Sequence, residues 1–315
     1  MKAKLSIILV SFIALMFSQA AVADEEESEK TLQEQVKYID CDEVRNDQRR
    51  LQRVLDKAKP GTTINIAGTC QNVALIINTA NLTIQGPAEL QGTGVAPVIQ
   101  VQDVGGINLV GLNLSGGSHG LEIVAGRASA TDIAASNNNE SGFSIINSGN
   151  LACFNCEALS NGARGAIVIG SMTLCGTGAF ADNGEEGVLA FLGGRVFSST
   201  AVCGAPPVLD FVDNTLAGLS LFQHGKVFFD GVTMEAGSND GPGIAVGSNS
   251  NLQLVGSSVL IDDNGTAGLS VSDSSTASIV GSTAASVQRN GSIGVFVTNN
   301  SNALLQPVTV RDNTT

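Results

Sequence analysis

The sequence predicts an all-β solenoid, in which short parallel strands stack from one turn of the chain to the next. A glycine followed by alternating apolar residues returns eight times, at steps of 22 to 31 residues. An asparagine stands four residues before seven of these glycines. A period of this length with a strand in each repeat is the signature of a solenoid. The repeat glycines are Gly120, Gly142, Gly165, Gly187, Gly218, Gly243, Gly268 and Gly294.

The composition agrees with this fold class and excludes others. Only 14% of the 315 residues are charged and 37 are glycine, which argues against a helical bundle or coiled coil. Aromatic residues make up 4% and tryptophan is absent, so a conventional sandwich core would lack material. The net charge of −13 argues against nucleic acid as a partner, because phosphate binding needs a basic stripe.

The residues after each repeat glycine alternate as a half-buried strand requires. The first and third residues are expected to point inward and the second outward. Further short apolar stretches, such as residues 259–261 and 277–280, lie between these strands. Each repeat therefore holds two or three strands separated by turns, and equivalent strands stack in parallel.

The asparagines are interpreted as a structural ladder at one turn of the solenoid. Asparagine tolerates a left-handed backbone, and stacked amides bond to each other and to the turn backbone. Asn313 continues the spacing toward the C-terminus. The ladder residues are Asn138, Asn161, Asn183, Asn214, Asn239, Asn264 and Asn290.

The pattern of the N-terminal residues predicts an export signal. Two lysines precede an apolar run at residues 5–17, and Ala21-Val22-Ala23 offers a small-x-small cleavage site. We predict a signal peptide at residues 1–23, too short to span a membrane as a helix, followed by an acidic leader at 24–40. An uncleaved anchor is the alternative. After cleavage no transmembrane segment is expected, and the protein is predicted to be secreted or periplasmic.

All six cysteines follow the signal, so an oxidising compartment and disulfides are expected. Cys153 and Cys175 each stand 12 residues before the next repeat glycine, which predicts a bridge between adjacent turns. Cys203 has no clear register. Cys156 is its possible partner, and Cys175 is a competing one.

The repeat resembles the right-handed parallel β-helix proteins of the pectin-lyase-like superfamily. The resemblance rests on the glycines at strand starts, the asparagine four residues earlier, and an amphipathic segment followed by Lys59-Pro60-Gly61. It implies a right-handed parallel β-helix at residues 62–315, with an incomplete last turn, and a capping helix and entry at 41–61. A bridge from Cys41, before the cap, to Cys70, after the first strand, is expected to clamp the cap.

That superfamily contains lyases, hydrolases, epimerases, adhesins and proteins without known activity, so the resemblance does not settle function. The Asn-Thr-Asp, Asp-Asp, Gly-His-Gly and Arg-x-Lys set of its hydrolases is not present as a set. Only one of the eight outward residues is a carboxylate, and Ser118-His119-Gly120 has no evident companion. The outward residues are Glu122, Ser144, Ile167, Leu189, Ser220, Ala245, Ser270 and Phe296.

The best remaining catalytic group follows the second histidine. His224, Lys226, Asp230 and Glu235 are close enough in sequence to sit on neighbouring faces of one coil. No other metal or cofactor is expected beyond calcium at Asp182 and Asp213, which stand at equivalent positions in adjacent turns. The alternative is that these two carboxylates are simply solvated at a turn.

Two further patterns involve the outer surface. Asp263, Arg289 and Asp312 are predicted to stack as an alternating ion ladder. Ile146, Ile169, Phe191 and Phe222 either form an outward apolar stripe for a partner or are turned inward or covered by the long repeat at residues 195–217.

The sequence favours an exported, non-enzymatic β-helix protein that binds a glycan or a cell-surface partner. The first alternative is a carbohydrate-active enzyme, a polysaccharide lyase or glycoside hydrolase, with an atypical site. The second is a fragment or passenger of an adhesin. Three or more acidic groups that converge with a lysine or arginine in one groove would favour the enzyme.

Overall fold

The computed structural model describes residues 36–42, 47–282 and 284–314. The predicted signal peptide and residues 24–35 of the predicted acidic leader lie outside the described residues. The first strand occupies the last five leader positions and pairs in parallel with the strand at Thr63–Cys70. Within the described residues no helix combines the length and apolar character needed to cross a membrane.

The elements of the first half are β1 (Val36–Asp40), α1 (Asp47–Lys57), β2 (Thr63–Cys70), β3 (Leu75–Ile77), β4 (Thr83–Gln91), β5 (Ile99–Gln102), β6 (Ile107–Ser115), β7 (His119–Val124), β8 (Arg127–Ser136), β9 (Ser141–Ile146), β10 (Asn150–Leu159), β11 (Ala166–Val168) and β12 (Ser171–Ala181). The elements of the second half are β13 (Val188–Ala190), β14 (Arg195–Ser199), α2 (Thr200–Cys203), β15 (Val208–Asp210), β16 (Leu219–Leu221), β17 (Lys226–Asp230), β18 (Thr233–Gly237), β19 (Ile244–Val246), β20 (Asn251–Val255), β21 (Ser258–Asp262), β22 (Leu269–Val271), β23 (Thr276–Val280), β24 (Ala284–Gln288), β25 (Val295–Val297), β26 (Asn302–Gln306) and β27 (Thr309–Arg311).

These strands form two parallel sheets that wind around one core, so the predicted all-β parallel solenoid is confirmed. Sheet B contains the ten strands that run from β3 to β25, including every strand that follows a repeat glycine. Sheet A contains the other seventeen and turns a corner. Its early strands, such as β10 and β12, run through the corner as single elements of 10 and 11 residues. From β17 to β26, five-residue strands follow the same course in pairs, and the last pair ends with the three-residue β27. One full turn of the chain is called a rung below.

The interior holds the apolar residues that the alternation predicted. Leu121 and Ile123 are fully buried on either side of the half-buried Glu122. Four phenylalanines follow one another along the core with ring centroids 5.7–6.4 Å apart, the first pair edge-on and the next two stacked. They are Phe143, Phe180, Phe211 and Phe229. Because parallel strands lie about 4.8 Å apart, each rung adds one layer of such side chains.

The asparagine ladder is confirmed. Each side-chain Nδ2 donates to the Oδ1 of the next asparagine at 2.8–3.0 Å, and Asn313 extends the series. The same oxygen accepts from the backbone N–H of the preceding ladder residue, as between Asn161 and Asn183 at 3.1 Å. None of the seven is more than 2% exposed. The left-handed backbone, however, belongs to the residue just before each asparagine, with φ of 53–56°.

A short helix covers the N-terminal end of the core. Leu51 and Leu55 of α1 are buried against it. Gln52 ties the helix to β3, because its Nε2 donates to the carbonyl of Ile76 and its Oε1 accepts from the N–H of the same residue, both at 2.9 Å. The predicted bridge between Cys41 and Cys70 is present, with α-carbons 5.0 Å apart.

The predicted pairing of Cys153 with Cys175 is wrong. The structure joins Cys153 to Cys156 and Cys175 to Cys203. In the pairing of β10 with β12, Cys153 lies opposite Leu174, and Cys175 lies opposite Phe154. Since neighbouring residues of a strand face opposite sides, Cys153 points into the core and Cys175 points outward.

Candidate functional site

The structure does not bring the four catalytic candidates together. His224 is exposed at a turn with φ of 69°. Lys226 and Asp230 are the first and last outward residues of β17, which places them roughly 13 Å apart along the strand. Glu235 lies on β18, beyond the corner of sheet A.

Glu235 instead belongs to a group of carboxylates at outward positions of sheet A, beyond its corner. It lies directly opposite Asp210 in the strand pairing, and Asp262 is one rung further. Burial and then the charges of Asp262 and Asp210 raise the pKa of Glu235. Burial also raises the pKa of Asp262, although the Arg289 guanidinium opposes this rise.

The predicted ion ladder forms in part. Arg289 Nη2 lies 2.9 Å from Asp263 Oδ2, and the same nitrogen pairs with Asp262. The ion pair of Asp312 is with Arg311, at 3.7 Å. The hydrogen bond from Arg289 holds the pKa of Asp263 below its usual value.

The two calcium candidates occupy the left-handed turn position before a ladder asparagine. Asp182 and Asp213 are both exposed there. Glu185 and Glu186, which follow Asp182 closely, form ion pairs with Arg164. Across the described ranges, no three histidine, cysteine or acidic side chains are grouped so as to hold a metal ion.

A groove of about 450 Å³ lies on the outer face of sheet B, over the strands β7, β9 and β11. Its polar walls come from residues that stand one or two positions before a repeat glycine, where the ladder turn enters the strand. These residues are His119, Glu140 and Arg164. Glu122, Ile146 and Ile167 line it from the outward positions of the strands. Three successive rungs therefore supply one site.

His119 is held in one orientation at the edge of the groove. Its imidazole is only 15% exposed, and Nδ1 accepts a hydrogen bond from the backbone N–H of Ser141 at 3.3 Å. The neutral ring therefore carries its proton on Nε2, which lies 3.4 Å from Glu140 Oε2. A histidine with a fixed tautomer beside a carboxylate presents one defined N–H donor at the edge of the groove.

Arg164, the one arginine among the groove residues, is paired with two glutamates. Arg164 Nε donates to Glu186 Oε2 at 2.8 Å, and its Nη2 lies 2.5 Å from Glu185 Oε2. Glu122 accepts from Gln100 Nε2 at 2.6 Å. The groove and its border thus hold four carboxylates, since Glu140 adds to these three, against one arginine.

The expectation that His119 has no companion is wrong. Glu140 stands 21 residues later in the sequence but one rung away in space, because β7 and β9 pair with His119 opposite Ser141. The signal was in the sequence. If the two residues before each repeat glycine are aligned rather than the second residue after it, His119, Glu140, Arg164, Glu185 and Glu186 fall into two neighbouring columns.

No family model matches the chain, and no curated protein matches it either. Solved structures share its fold. An alginate lyase from Paenibacillus sp. str. FPU-7 has a TM-score of 0.57 at 13% identity, covering 84% of this chain and 99% of its own. The A-module of the mannuronan C-5 epimerase AlgE4 from Azotobacter vinelandii gives 0.56 at 11% identity, covering 88% and 99%. Pectate lyase Pel9A gives 0.53 at 14%, covering 89% and 78%.

These likenesses confirm the resemblance in fold to the pectin-lyase-like β-helix proteins. At identities of 11–14% they show the fold alone. What the groove does has to be argued from its own residues.

Proposed function

We propose that this chain is an exported β-helix protein that binds a glycan in the groove around His119, Glu140 and Arg164. The observation that carries the proposal is the groove itself, an open trough with convergent polar side chains above an apolar floor. Sugars suit such a site, because their hydroxyl groups bond to polar side chains while their C–H faces lie on apolar ones. The predicted N-terminal signal and the six bridged cysteines support export.

The charges of the groove favour an uncharged glycan. The groove and its border hold four carboxylates, and its one arginine, Arg164, is already paired with two of them, Glu185 and Glu186. A uronan would bring further negative charge into this field. The solved structures with this fold include enzymes named for alginate and pectate, yet we expect no cleavage of polygalacturonate or alginate by this chain.

Binding titrations with neutral and acidic oligosaccharides test the proposal. We expect saturable binding of a neutral glycan, weakened at least tenfold by Glu140→Gln, since a hydrogen bond to a charged group contributes about 1.5–3 kcal/mol. Glu157→Gln is the matched control, because Glu157 is also exposed but lies on sheet A. Binding of uronans alone, or equal loss in both variants, would refute the proposal.

A carbohydrate-active enzyme is the second candidate, and the His119–Glu140 pair favours it. The groove also brings three or more acidic groups together with an arginine, the feature that the sequence analysis took as favouring an enzyme. In this candidate Glu140 transfers the proton at the bridging oxygen of a bound glycan, and the Nε2–H of His119 holds the Glu140 carboxylate in place. Incubation of the bound glycan followed by product analysis tests this role. Turnover that His119→Gln abolishes while binding persists would establish the enzyme, and the absence of new reducing ends or unsaturated products would exclude it.

A further inference from the structure

A second groove, of about 360 Å³, lies on the outer face of sheet B over the strands β22 and β25. It is built from the same positions of the repeat as the groove of the proposed function, which is called the first groove below. Thr266 and Ser292 stand two residues before a repeat glycine, and Ile293 stands one residue before it. Ser270 and Phe296 are the second residues after a repeat glycine. The two grooves therefore have the same backbone frame and different side chains.

The walls of the second groove carry hydroxyl groups and no charge. None of its lining residues is titratable, and Thr266, Ser270 and Ser292 each supply one hydroxyl. Within the described ranges, the side chains of these three residues form no hydrogen bond with the protein. All three are at least partly exposed. The groove thus holds three hydroxyls that are free to bond to a ligand.

The apolar part of the groove is an exposed aromatic ring with an aliphatic neighbour. Phe296 is 43% exposed and Ile293 is 45% exposed. Ser270 lies opposite Phe296 in the pairing of β22 with β25, so the ring stands one rung, about 4.8 Å, from a free hydroxyl. The ring contacts found among the described residues do not involve Phe296. Its ring is therefore not part of the aromatic packing of the core.

We propose that the second groove is a further glycan site, and that it takes an uncharged sugar. A wholly apolar occupant would bury three hydroxyls without hydrogen bonds, which is costly. A charged occupant would meet no opposite charge in the walls. A neutral sugar avoids both costs, because its hydroxyl groups bond to Thr266, Ser270 and Ser292 while a C–H face lies on Phe296.

The inference rests on the proposed function for the class of ligand, but the two grooves are separate. In the rungs of β13 and β16 between them, the outward residues Leu189 and Ser220 are only 7% and 2% exposed, and Phe191 and Phe222 are half-buried. Neither groove extends across these rungs. The second groove should bind more weakly than the first, because hydrogen bonds between neutral groups contribute less than those to charged ones.

Tryptophan fluorescence tests the inference, because the chain contains no tryptophan of its own. Phe296→Trp and Ile293→Trp, made separately, would each be titrated with neutral hexasaccharides of glucose, xylose and mannose, and with a galacturonate oligosaccharide. We expect a saturable change in emission with at least one neutral sugar and none with the acidic one. Adding Ser270→Ala to the Phe296→Trp chain should raise the dissociation constant about two- to tenfold.

Phe154→Trp is the matched control for the reporters. Phe154 is also 43% exposed, but it lies at an outward position of β10 in sheet A, so its emission should not change. Circular dichroism checks that each variant is folded. Two folded groove reporters that respond to none of the neutral sugars would overturn the inference. So would an equal response from Phe154→Trp, or a dissociation constant that Ser270→Ala leaves unchanged.

Failure of the first groove has a different signature. It appears as glycan binding that Glu140→Gln leaves unchanged, whereas the tryptophan reporters respond only to the second groove. A response of the reporters would support the second site whatever the result at Glu140.

Discussion

The first four repeats and the last four share an interior and differ outside. Both halves carry the buried asparagine and the same pattern of inward apolar residues. The two residues before the repeat glycine are mostly charged or polar in the first half and mostly apolar or small in the second. They are Ser118-His119, Glu140-Ser141, Ala163-Arg164 and Glu185-Glu186 in the first half, and Leu216-Ala217, Gly241-Pro242, Thr266-Ala267 and Ser292-Ile293 in the second. Residues that repeat carry the fold, and residues that break the repeat mark the candidate site.

The largest effect is expected where the two halves join. The bridge from Cys175 to Cys203 closes a 28-residue separation around the insertion. Replacing both residues by serine should lower the free energy of unfolding by about 3–4 kcal/mol in the chain-entropy model. The bridge between Cys153 and Cys156, three residues apart, should contribute only about 2 kcal/mol by the same reasoning. Urea unfolding without reductant measures both, and equal losses would contradict the loop-length account.

The ladder should contribute equally in both halves. Asn161→Ala and Asn264→Ala each leave a backbone N–H and a backbone carbonyl of neighbouring rungs without their side-chain partner, so each should cost about 1–3 kcal/mol. Asn302→Ala, at an exposed strand position, serves as the control. The midpoint of urea denaturation checks all three. If one half tolerated the change, the two interiors would not be equivalent.

The parts of the fold that repeat are predictable from the sequence. The ladder, the alternation and the capping helix each follow from a spacing that recurs or from a clear apolar periodicity. The pairing of Cys153 and Cys175 is not predictable in this way, because counting back from the next glycine assumes a constant register. The β10–β12 pairing sets them one position apart, which reverses the face of the side chain. The His119–Glu140 pair lies in the two columns before the repeat glycine, whereas the strand alternation assigns a face only to the residues after it.

Substitution of the two paired arginines should distinguish an effect on folding stability from an effect on glycan binding. Arg164 in the first half and Arg289 in the second each hold a buried carboxylate, Glu186 and Asp262. Arg164→Gln and Arg289→Gln should each cost about 1–3 kcal/mol, because a buried charge loses its partner. Only Arg164→Gln should weaken glycan binding. Parallel unfolding and titration measure the two effects, and a binding loss from Arg289→Gln would contradict the location of the site.

The smallest effect concerns the carboxylates of the second half. Because burial and neighbouring acids raise the pKa of Glu235, its ionisation disfavours the folded state above that pKa. The penalty disappears as the pH falls and the group is protonated in both states. Glu235→Gln should therefore stabilise the chain at pH 7 by less than about 1 kcal/mol, given its partial exposure, and the gain should vanish near pH 4. A Glu235→Gln variant that is less stable than the wild type at pH 7 would contradict the expected direction of the change in the free energy of unfolding.

The chain's two histidines provide the most direct test of the proposed site. His119 lies in the groove of the first half, and His224 is exposed at a turn of the second. Imidazole resonances of the ¹⁵N-labelled chain, assigned with His119→Gln, would be followed while a neutral oligosaccharide is added. The account predicts that the His119 resonances shift saturably and that those of His224 stay in place. Saturable binding that shifts only His224, or neither histidine, would contradict the assignment of the groove as the glycan site.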